Sequence, residues 1–208
     1  MDGMPEAIVF DLYGVIATHQ PQEAKRAIER LAGIEPGDAA GAARFWDAYW
    51  ALRPAYDAGQ PAAEYWRAVA GRLGVSFADP AALARADLES WTAVDEEMVA
   101  LVTELAERGH RLGLLSNIVA DLVPVMEERH GHWLRRFAAL TYSCRIGVAK
   151  PDPRAYEICA RRLGVAPSDV LFFDDNEVNV QAARAVGMSA EVFTSPGQVR
   201  RVLAACGR

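Results

Sequence analysis

The sequence predicts an α/β fold in which a doubly wound parallel sheet carries an inserted α-helical cap domain. Short, wholly apolar segments such as Leu171-Phe172-Phe173 are typical of strands that helices cover on both faces. After Trp91, helical and strand patterns alternate along the chain, which favours a parallel sheet. From about Gln20 to Trp91, in contrast, only helical patterns occur, which indicates a separate helical block.

The first predicted strand is Ala7-Ile8-Val9-Phe10, which ends at Asp11 and is followed by Gly14. The helical block then contains apolar residues at helical spacing, separated by breaks at 33–37, 59–61 and 74–80. These residues are Ala24, Ala27, Ile28 and Leu31, then Phe45, Ala48, Tyr49 and Leu52, then Tyr65, Trp66, Val69 and Leu73. We therefore expect a core domain over 1–18 and 92–208, and a cap domain over 19–91.

The alternating part of the chain is predicted element by element. Helices are expected over 96–108, 121–130, 153–163, 178–186 and 197–205, and strands over 111–115, 140–143, 170–173 and 190–193. Gly109 and Gly187 close two of the helices, and Pro153 stands at the start of another.

Composition excludes several classes of function. The 208 residues are 51% hydrophobic and carry a net charge of -6, so the chain can bury a large core but lacks the basic face that a nucleic acid requires. We see no apolar stretch long enough to span a membrane and no targeting segment, and we expect a cytoplasmic monomer or homodimer. The three cysteines lack metal-ligand spacing, so we expect reduced thiols.

Four predicted strand ends carry polar groups: Asp11, Ser116-Asn117, the loop to Lys150, and Asp174-Asp175. In a parallel sheet these ends share one edge, where ligands bind. A carboxylate can act as a nucleophile, a hydroxyl and an amide can bind an oxyanion, an ammonium can neutralise it, and an acidic pair can hold a hard cation. Phosphoryl transfer needs this combination, because its catalysis is mainly positioning and charge neutralisation.

The segments that carry these groups resemble the four ordered motifs of the haloacid dehalogenase superfamily. They are Phe10-Asp11-Leu12-Tyr13-Gly14-Val15-Ile16, Leu114-Leu115-Ser116-Asn117, Gly147-Val148-Ala149-Lys150-Pro151-Asp152-Pro153 and Phe172-Phe173-Asp174-Asp175-Asn176-Glu177-Val178-Asn179. The resemblance covers essentially the whole chain, and its spacing is similar to members with a Rossmann-like core and a helical cap between the first two motifs.

The resemblance implies roles for individual residues. Asp11 would be the nucleophile that forms an aspartyl intermediate, and Lys150 would stabilise Asp11 and the anionic group of the substrate. Ser116 and Asn117 would bind that anionic group. In the phosphatases of the family, the corresponding positions hold Mg2+, which here implies Asp11, the backbone carbonyl of Tyr13 and Asp175 as ligands, with Asp174 acting through water.

Tyr13 departs from the pattern of the family's phosphatases, which usually carry a second Asp at this position as general acid and base. That group is typically worth about 10²- to 10⁴-fold in rate, and a phenol with a reference pKa of about 10 is a poor base near neutrality. L-2-haloacid dehalogenases of the family are similar at Tyr13 and at Tyr156, but they use no metal and carry serines in place of Asp174-Asp175.

The acidic pair favours phosphatase chemistry, and the chain looks closest to sugar-phosphate phosphatases of the family that also lack the second Asp. We therefore predict a Mg2+-dependent phosphatase for a small phosphorylated metabolite, with Tyr13 packed against the cap or the substrate entrance as a substrate-binding residue. The alternatives are a metal-independent 2-haloacid dehalogenase and a catalytically weak binding or regulatory protein. Arg53 is expected to be a surface cation, the alternative being a contact with an anion of the substrate. The aromatic residues Trp46, Tyr49, Trp50, Tyr65 and Trp66 are expected to form the core of the cap, the alternative being an aromatic ring that faces the cleft and stacks on a sugar.

Overall fold

A single parallel sheet organises the structure, a computed structural model that describes residues 4–207. Its five strands are ordered β3-β2-β1-β4-β5, and every neighbouring pair is parallel. The strands are β1 (Ala7–Phe10), β2 (Leu112–Ser116), β3 (Ala139–Tyr142), β4 (Val170–Asp174) and β5 (Ser189–Val192). The predicted α/β class with a doubly wound parallel sheet is confirmed.

Helices occupy most of the remaining chain. Between β1 and β2 lie α1 (Gln22–Leu31), α2 (Ala39–Asp57), α3 (Ala62–Leu73), α4 (Pro80–Ser90) and α5 (Glu96–Glu107). After β2 come α6 (Leu122–Leu134), α7 (Ser143–Ile146), α8 (Pro153–Leu163), a 3-10 turn (Pro167–Asp169), α9 (Glu177–Ala185) and α10 (Pro196–Cys206).

The two faces of the sheet bury separate apolar clusters, because successive side chains of a strand point to opposite sides. Ile8 and Phe10 of β1 belong to one cluster, which α5, α6 and α10 share. Ala7 and Val9 belong to the other, which α8 and α9 share. Gly113 of β2 makes room for this packing, since a Cβ there would stand 2.7 Å from Cδ1 of Leu163 in α8 and the leucine side chain would have to shift.

Helices α1 to α4 pack around an aromatic group that includes Tyr49, Tyr65 and Trp66, all buried as predicted for the core of the helical block. Trp50 differs, because 48% of its surface remains exposed. The buried apolar residues of these helices belong to the same cluster as Ile8 and Phe10, so the block is continuous with one face of the sheet. The division into core and cap domains stays a prediction.

Two elements differ from the sequence prediction. Helix α6 continues past His130 to Leu134, because Trp133 and Leu134 are buried and hold its last turn in place. The short helix α7 begins at Ser143, which was expected to end a strand.

The topology determines where a ligand can bind. From β1 the chain moves to β2 and β3 on one side of the sheet, and later returns to β4 and β5 on the other side. Ligands of open α/β sheets bind outside the carboxyl ends of the strands where this reversal occurs, which here are the ends of β1 and β4. None of the helices in residues 4–207 combines the length and apolar character that crossing a bilayer requires.

Candidate active site

The carboxyl ends of β1 and β4 bring three carboxylates together. The two strands pair in register at Phe10 and Phe173, and the backbone N–H of Asp11 donates to the carbonyl of Phe173 at 2.8 Å. As a result, one carboxylate oxygen from each of Asp11, Asp174 and Asp175 lies within 4.8 Å of the others. The strand ends thus supply the hard oxygen ligands that Mg2+ prefers.

Lys150 places a buried ammonium between two of these carboxylates. Its Nζ lies 2.7 Å from Oδ1 of Asp11 and 2.6 Å from Oδ2 of Asp174. Asn117 fixes the lysine backbone from the end of β2, because its Oδ1 accepts from the N–H of Lys150 at 2.8 Å and its Nδ2 donates to the carbonyl of Lys150 at 2.9 Å. Residues from three separate strand ends therefore form one connected arrangement.

Asp174 is fully buried, and its two oxygens are directed at protein donors. The backbone N–H of Asn176 donates to Oδ1 at 2.9 Å, and Nδ2 of Asn179 lies 3.0 Å from Oδ1 and 3.1 Å from Oδ2. Asn179 is held in turn by Tyr156, whose hydroxyl donates to the Asn179 carbonyl at 2.9 Å. Asp174 therefore orients Lys150 and the loop that follows β4.

Burial and charge act in opposite directions on the ion pair. Burial raises the pKa of Asp11 well above its usual value, and the Lys150 ammonium opposes this rise. Burial alone would lower the pKa of Lys150, but Asp11 and Asp174 raise it above its usual value. Lys150 therefore stays charged at neutral pH, and its charge is what favours the carboxylate form of Asp11.

Asp175 approaches the turn that follows β1, and Gly14 makes this approach feasible. A Cβ on Gly14 would stand 2.1 Å from Oδ2 of Asp175 and 2.9 Å from Nε2 of His19, and the φ of Gly14 is +81°. Nε2 of His19 lies 3.0 Å from the same Oδ2. Glycine is therefore favoured at this turn, because a side chain would strain the backbone and displace the carboxylate.

A pocket of about 240 Å³ opens over these groups. Five of the residues predicted for the site line it: Asp11, Tyr13, Asn117, Lys150 and Asp175. The other side is formed by Trp50, Arg53 and Asp57 of α2 together with Trp91, and His19, Asn176 and Asn179 complete the lining. Helix α2 and the sheet edge therefore enclose the pocket between them.

Ser116 and Asp174 are predicted site residues that do not line this pocket. The Ser116 side chain is fully buried and its Oγ is 3.4 Å from the carbonyl oxygen of Asn117. Its role in binding an anionic group stays a prediction.

Tyr13 packs edge-on against Trp91, with ring centroids 5.1 Å apart and an interplanar angle of 69°. Its hydroxyl has no hydrogen-bond partner among residues 4–207. Burial raises the pKa of Tyr13 well above its usual value, so the phenol is neutral near pH 7 and is not available as a base.

The expectation that Arg53 is a surface cation is wrong. Arg53 is only 5% exposed, and its Nε donates to Oδ1 of Asp57 at 2.8 Å. Its guanidinium lies 5.5 Å from the ring centroid of Trp91 and 3.7 Å from Oδ2 of Asp87. Asp57 was missed altogether, although the four-residue spacing of Arg53 and Asp57 on one helix is a recognisable ion-pair signal.

Comparison with known proteins agrees with this geometry. A sequence model of the haloacid dehalogenase-like hydrolases matches residues 5–187. The chain belongs to this family. This membership confirms the resemblance read from the four motifs and makes the protein a hydrolase.

The similarity to individual relatives covers most of this haloacid dehalogenase-like hydrolase. It is 29% identical over 196 residues to Phosphatase MT3486 of Mycobacterium tuberculosis, covering 93% of this chain and 89% of that protein. A HAD family enzyme from Bacteroides thetaiotaomicron, solved in complex with magnesium and inorganic phosphate, has a TM-score of 0.72 at 17% identity and covers 92% of this chain and 95% of its own. The L-2-haloacid dehalogenase of Xanthobacter autotrophicus has a TM-score of 0.67 at 23% identity. The match covers 97% of this chain and 83% of the dehalogenase chain. The chain is thus similar in sequence to a protein named a phosphatase, and in fold to a HAD family enzyme and to a dehalogenase.

Proposed function

We propose that the protein is a Mg2+-dependent phosphatase that hydrolyses a small phosphate monoester through an aspartyl phosphate on Asp11. The observation that carries the proposal is the acidic cluster at the ends of β1 and β4, in which carboxylate oxygens of Asp11, Asp174 and Asp175 lie within 4.8 Å of one another. A dehalogenase that attacks carbon has no need of such a cluster, whereas a carboxylate attacking an anionic phosphate must be screened.

The donor set fits Mg2+. Asp11, Asp175 and the backbone carbonyl of Tyr13 would hold the ion, and Asp174 would act through water because its oxygens already accept hydrogen bonds from Lys150, Asn176 and Asn179. Bound there, the ion would neutralise charge on the phosphoryl oxygens. The magnesium and phosphate complex of the Bacteroides thetaiotaomicron enzyme supports this assignment.

The chain's own residues prepare Asp11 for attack. Oδ1 of Asp11 accepts from the backbone N–H of Leu12 at 2.6 Å and from Nζ of Lys150 at 2.7 Å. Oδ2 makes no hydrogen bond within residues 4–207, so it is the oxygen that would attack phosphorus. Lys150 and the second N–H of the Asn117 amide would bind oxygens of the phosphate, since an amide nitrogen has two donors and only one is used by the Lys150 carbonyl.

The pocket favours a small substrate. Its volume of about 240 Å³ is below the roughly 300–1,000 Å³ of sites for drug-sized ligands. Its wall combines the half-exposed ring of Trp50 with Arg53 and Asp57, which suits a polar metabolite such as a sugar phosphate that stacks on an aromatic ring and forms hydrogen bonds. The curated relative named a phosphatase supports the same reaction class.

The first test is hydrolysis of a panel of phosphorylated metabolites and aryl phosphates, with Mg2+ and with EDTA. We expect turnover only with Mg2+, and we expect Asp11→Asn to abolish it because the nucleophile is lost. Phosphate release and halide release from 2-haloacids would be measured side by side. Halide release in EDTA would replace the proposal with dehalogenation, and inertness toward both sets would indicate a binding or regulatory protein.

A further inference from the structure

The proposed function leaves one proton unaccounted for. An alkoxide leaving group must be protonated as its bond to phosphorus breaks, and the water that later attacks the aspartyl phosphate must lose a proton. Tyr13 is poorly suited to both tasks, because burial raises the pKa of its phenol well above the usual value, which makes it a weaker acid than an ordinary phenol and leaves no phenolate to act as base near pH 7. Three carboxylates line the pocket: Asp11, Asp57 and Asp175. The first is the nucleophile and the third belongs to the acidic cluster, so Asp57 is the carboxylate without a role.

We propose that Asp57, the last residue of α2, is the general acid and base of the reaction and replaces the carboxyl that Tyr13 lacks. The inference rests on the proposed phosphatase function. It assigns a catalytic role to the helical block, which encloses the pocket from the side opposite the strand ends.

Two oxygens of Asp57, its backbone carbonyl and Oδ1, accept hydrogen bonds, and its Oδ2 does not within residues 4–207. Its carbonyl oxygen accepts from Oγ of Ser143 at 2.5 Å, which ties the end of α2 to α7 beside the sheet. Its Oδ1 accepts from Nε of Arg53 at 2.8 Å. Its Oδ2 forms no hydrogen bond with any residue in 4–207, and its side chain retains 12% exposure toward the pocket. One carboxylate oxygen is therefore fixed, and the other is available to a ligand.

Several charged and titratable groups surround this carboxyl. Arg53 and Tyr56 lie near it on its own helix, Tyr65 on α3, Asp87 on α4 and Cys144 on α7, and Tyr13 and Lys150 approach it from segments outside the strands, after β1 and before α8. Burial raises the pKa of Asp57 above its usual value, and Arg53 and Lys150 oppose the rise. The protonated form is therefore more accessible than for an exposed Asp, and Arg53 stabilises the carboxylate that remains after proton transfer.

The proposed proton transfers balance across the two steps. Oδ2 of Asp11 bonds to phosphorus as the bond to the alcohol oxygen breaks, and the protonated Asp57 donates its proton to that oxygen, which leaves as the alcohol. A water molecule then attacks phosphorus, Asp57 accepts its proton, and the bond between phosphorus and Asp11 breaks. Inorganic phosphate leaves, and both aspartates return to their starting forms.

His19 is the rival proton donor in the pocket. Its Nε2 is 3.0 Å from Oδ2 of Asp175, and its side chain is 65% exposed. The ring therefore contacts the acidic cluster, and within residues 4–207 it forms no hydrogen bond with Asp57. Variants of both residues separate the two assignments.

The experiment uses leaving groups of different basicity. Asp57→Asn is compared with the unaltered protein on an alkyl phosphate and on 2,4-dinitrophenyl phosphate, whose phenolate leaves without a proton. Asn keeps an oxygen acceptor for Nε of Arg53, which preserves the anchor. We expect the turnover of the alkyl phosphate to fall by about 10²- to 10⁴-fold and release of the phenolate in the first turnover to change little.

A second readout follows the intermediate. With dinitrophenyl phosphate, Asp57→Asn should release a burst of phenolate and then accumulate protein that carries one phosphoryl group on Asp11, detected by mass spectrometry, because the hydrolytic water lacks its base. A purely structural role of Asp57 would produce neither the burst nor the phosphorylated protein. Asp57→Glu should recover part of the alkyl phosphatase activity, and circular dichroism would establish that each variant is folded.

The matched control is Asp47→Asn, an exposed aspartate on the same helix outside the pocket, for which we expect no dependence on the leaving group. An equal loss with both substrates in Asp57→Asn would overturn the proposal, as would a dependence on the leaving group in His19→Asn and not in Asp57→Asn. If the unaltered protein hydrolyses neither substrate, the phosphatase function itself fails and Asp57 has no leaving group to protonate.

Discussion

At the scale of single residues, Gly14 shows how a backbone conformation is coupled to the acidic cluster. Its φ of +81° is costly for any L side chain, and a Cβ there would stand 2.1 Å from Oδ2 of Asp175. We predict that Gly14→Ala lowers the free energy of unfolding by about 1–3 kcal/mol because of the strained backbone. It should also raise the Mg2+ concentration for half-maximal activity by about 10–100-fold, because Asp175 is displaced. Denaturant unfolding and a Mg2+ titration measure the two effects.

Gly33→Ala is the matched control for this prediction. Gly33 has the same φ of +81°, but a Cβ there would meet no atom within 4 Å. The control should therefore show the loss of stability without the change in Mg2+ dependence. If both variants had the same Mg2+ dependence as the unaltered protein, the close approach of Asp175 to Gly14 would not shape the proposed metal site.

At the scale of elements, a buried polar network connects α2, α4 and the segment that enters the helical block. Oδ1 of Asp87 accepts from the Tyr49 hydroxyl at 2.8 Å and from Nε2 of Gln20 at 3.1 Å. Nε1 of Trp91 lies 3.3 Å from the same oxygen, and Arg53 approaches the other one at 3.7 Å. This network holds Arg53 and thereby the side chain of Asp57.

We predict that Asp87→Ala lowers the free energy of unfolding by about 3–5 kcal/mol, because it leaves the buried Arg53 charge uncompensated on one side and removes the acceptor of several buried donors. Denaturant unfolding followed by circular dichroism measures the loss. Glu89→Ala is the control on the same helix. Glu89 pairs with Arg129, but their side chains are 63% and 44% exposed, so we expect little change. A similarly small effect for Asp87 would mean that the network is not a structural requirement.

Helix boundaries were predicted best where local sequence signals mark both ends of the helix. Helix α8 has the predicted bounds, since Asp152 caps its start, Pro153 occupies the first turn and Gly164 ends it with a φ of +71°. The last turn of α6 was not predicted, and it is the burial of Trp133 and Leu134 that extends this helix past His130. Burial is a tertiary effect that no local signal reports.

In the candidate site, too, the residues marked by local signals were predicted and those placed by tertiary packing were not. The convergence of Asp11 and Asp175 could be predicted because each directly follows a strand whose apolar pattern is visible, and that of Lys150 because it lies in the connection that leaves β3 at the same edge of the sheet. Their roles stay predictions. The contribution of α2 could not be predicted, because helical periodicity predicts which face is buried but not which surface it is buried against. For this reason Asp57 was not predicted for the pocket, and Arg53 was considered there only as the alternative to a surface cation.

At the scale of the whole molecule, five tyrosines are almost completely buried: Tyr49, Tyr56, Tyr65, Tyr142 and Tyr156. They lie in both apolar clusters, so their ionisation reports on the entire fold. Burial raises the pKa of all five above the usual value. The pKa of Lys150 is also raised, so this ion pair likewise contributes stability that is lost at high pH.

The sign of the resulting pH dependence follows from proton binding. Above about pH 10 the unfolded chain releases its tyrosine protons while the folded protein keeps them, so stability that is fully present below pH 10 is lost as the pH rises. Each group contributes about 1.4 kcal/mol per pH unit, and five contribute about 7 kcal/mol per unit. A domain with a typical stability of about 5–15 kcal/mol should then unfold within about one or two pH units above pH 10.

We therefore predict that tyrosinate absorbance appears together with the loss of the far-ultraviolet circular dichroism signal, in one steep alkaline transition. Tyr142→Phe is a matched variant, because the Tyr142 hydroxyl has no hydrogen-bond partner in residues 4–207 and its removal leaves no donor unpaired. The variant should keep the stability of the unaltered protein near pH 7 and reduce the alkaline slope by about 1.4 kcal/mol per pH unit. Tyrosinate absorbance that rose near pH 10 while the circular dichroism stayed native would contradict the prediction, because it would mean that water reaches these phenols in the folded protein.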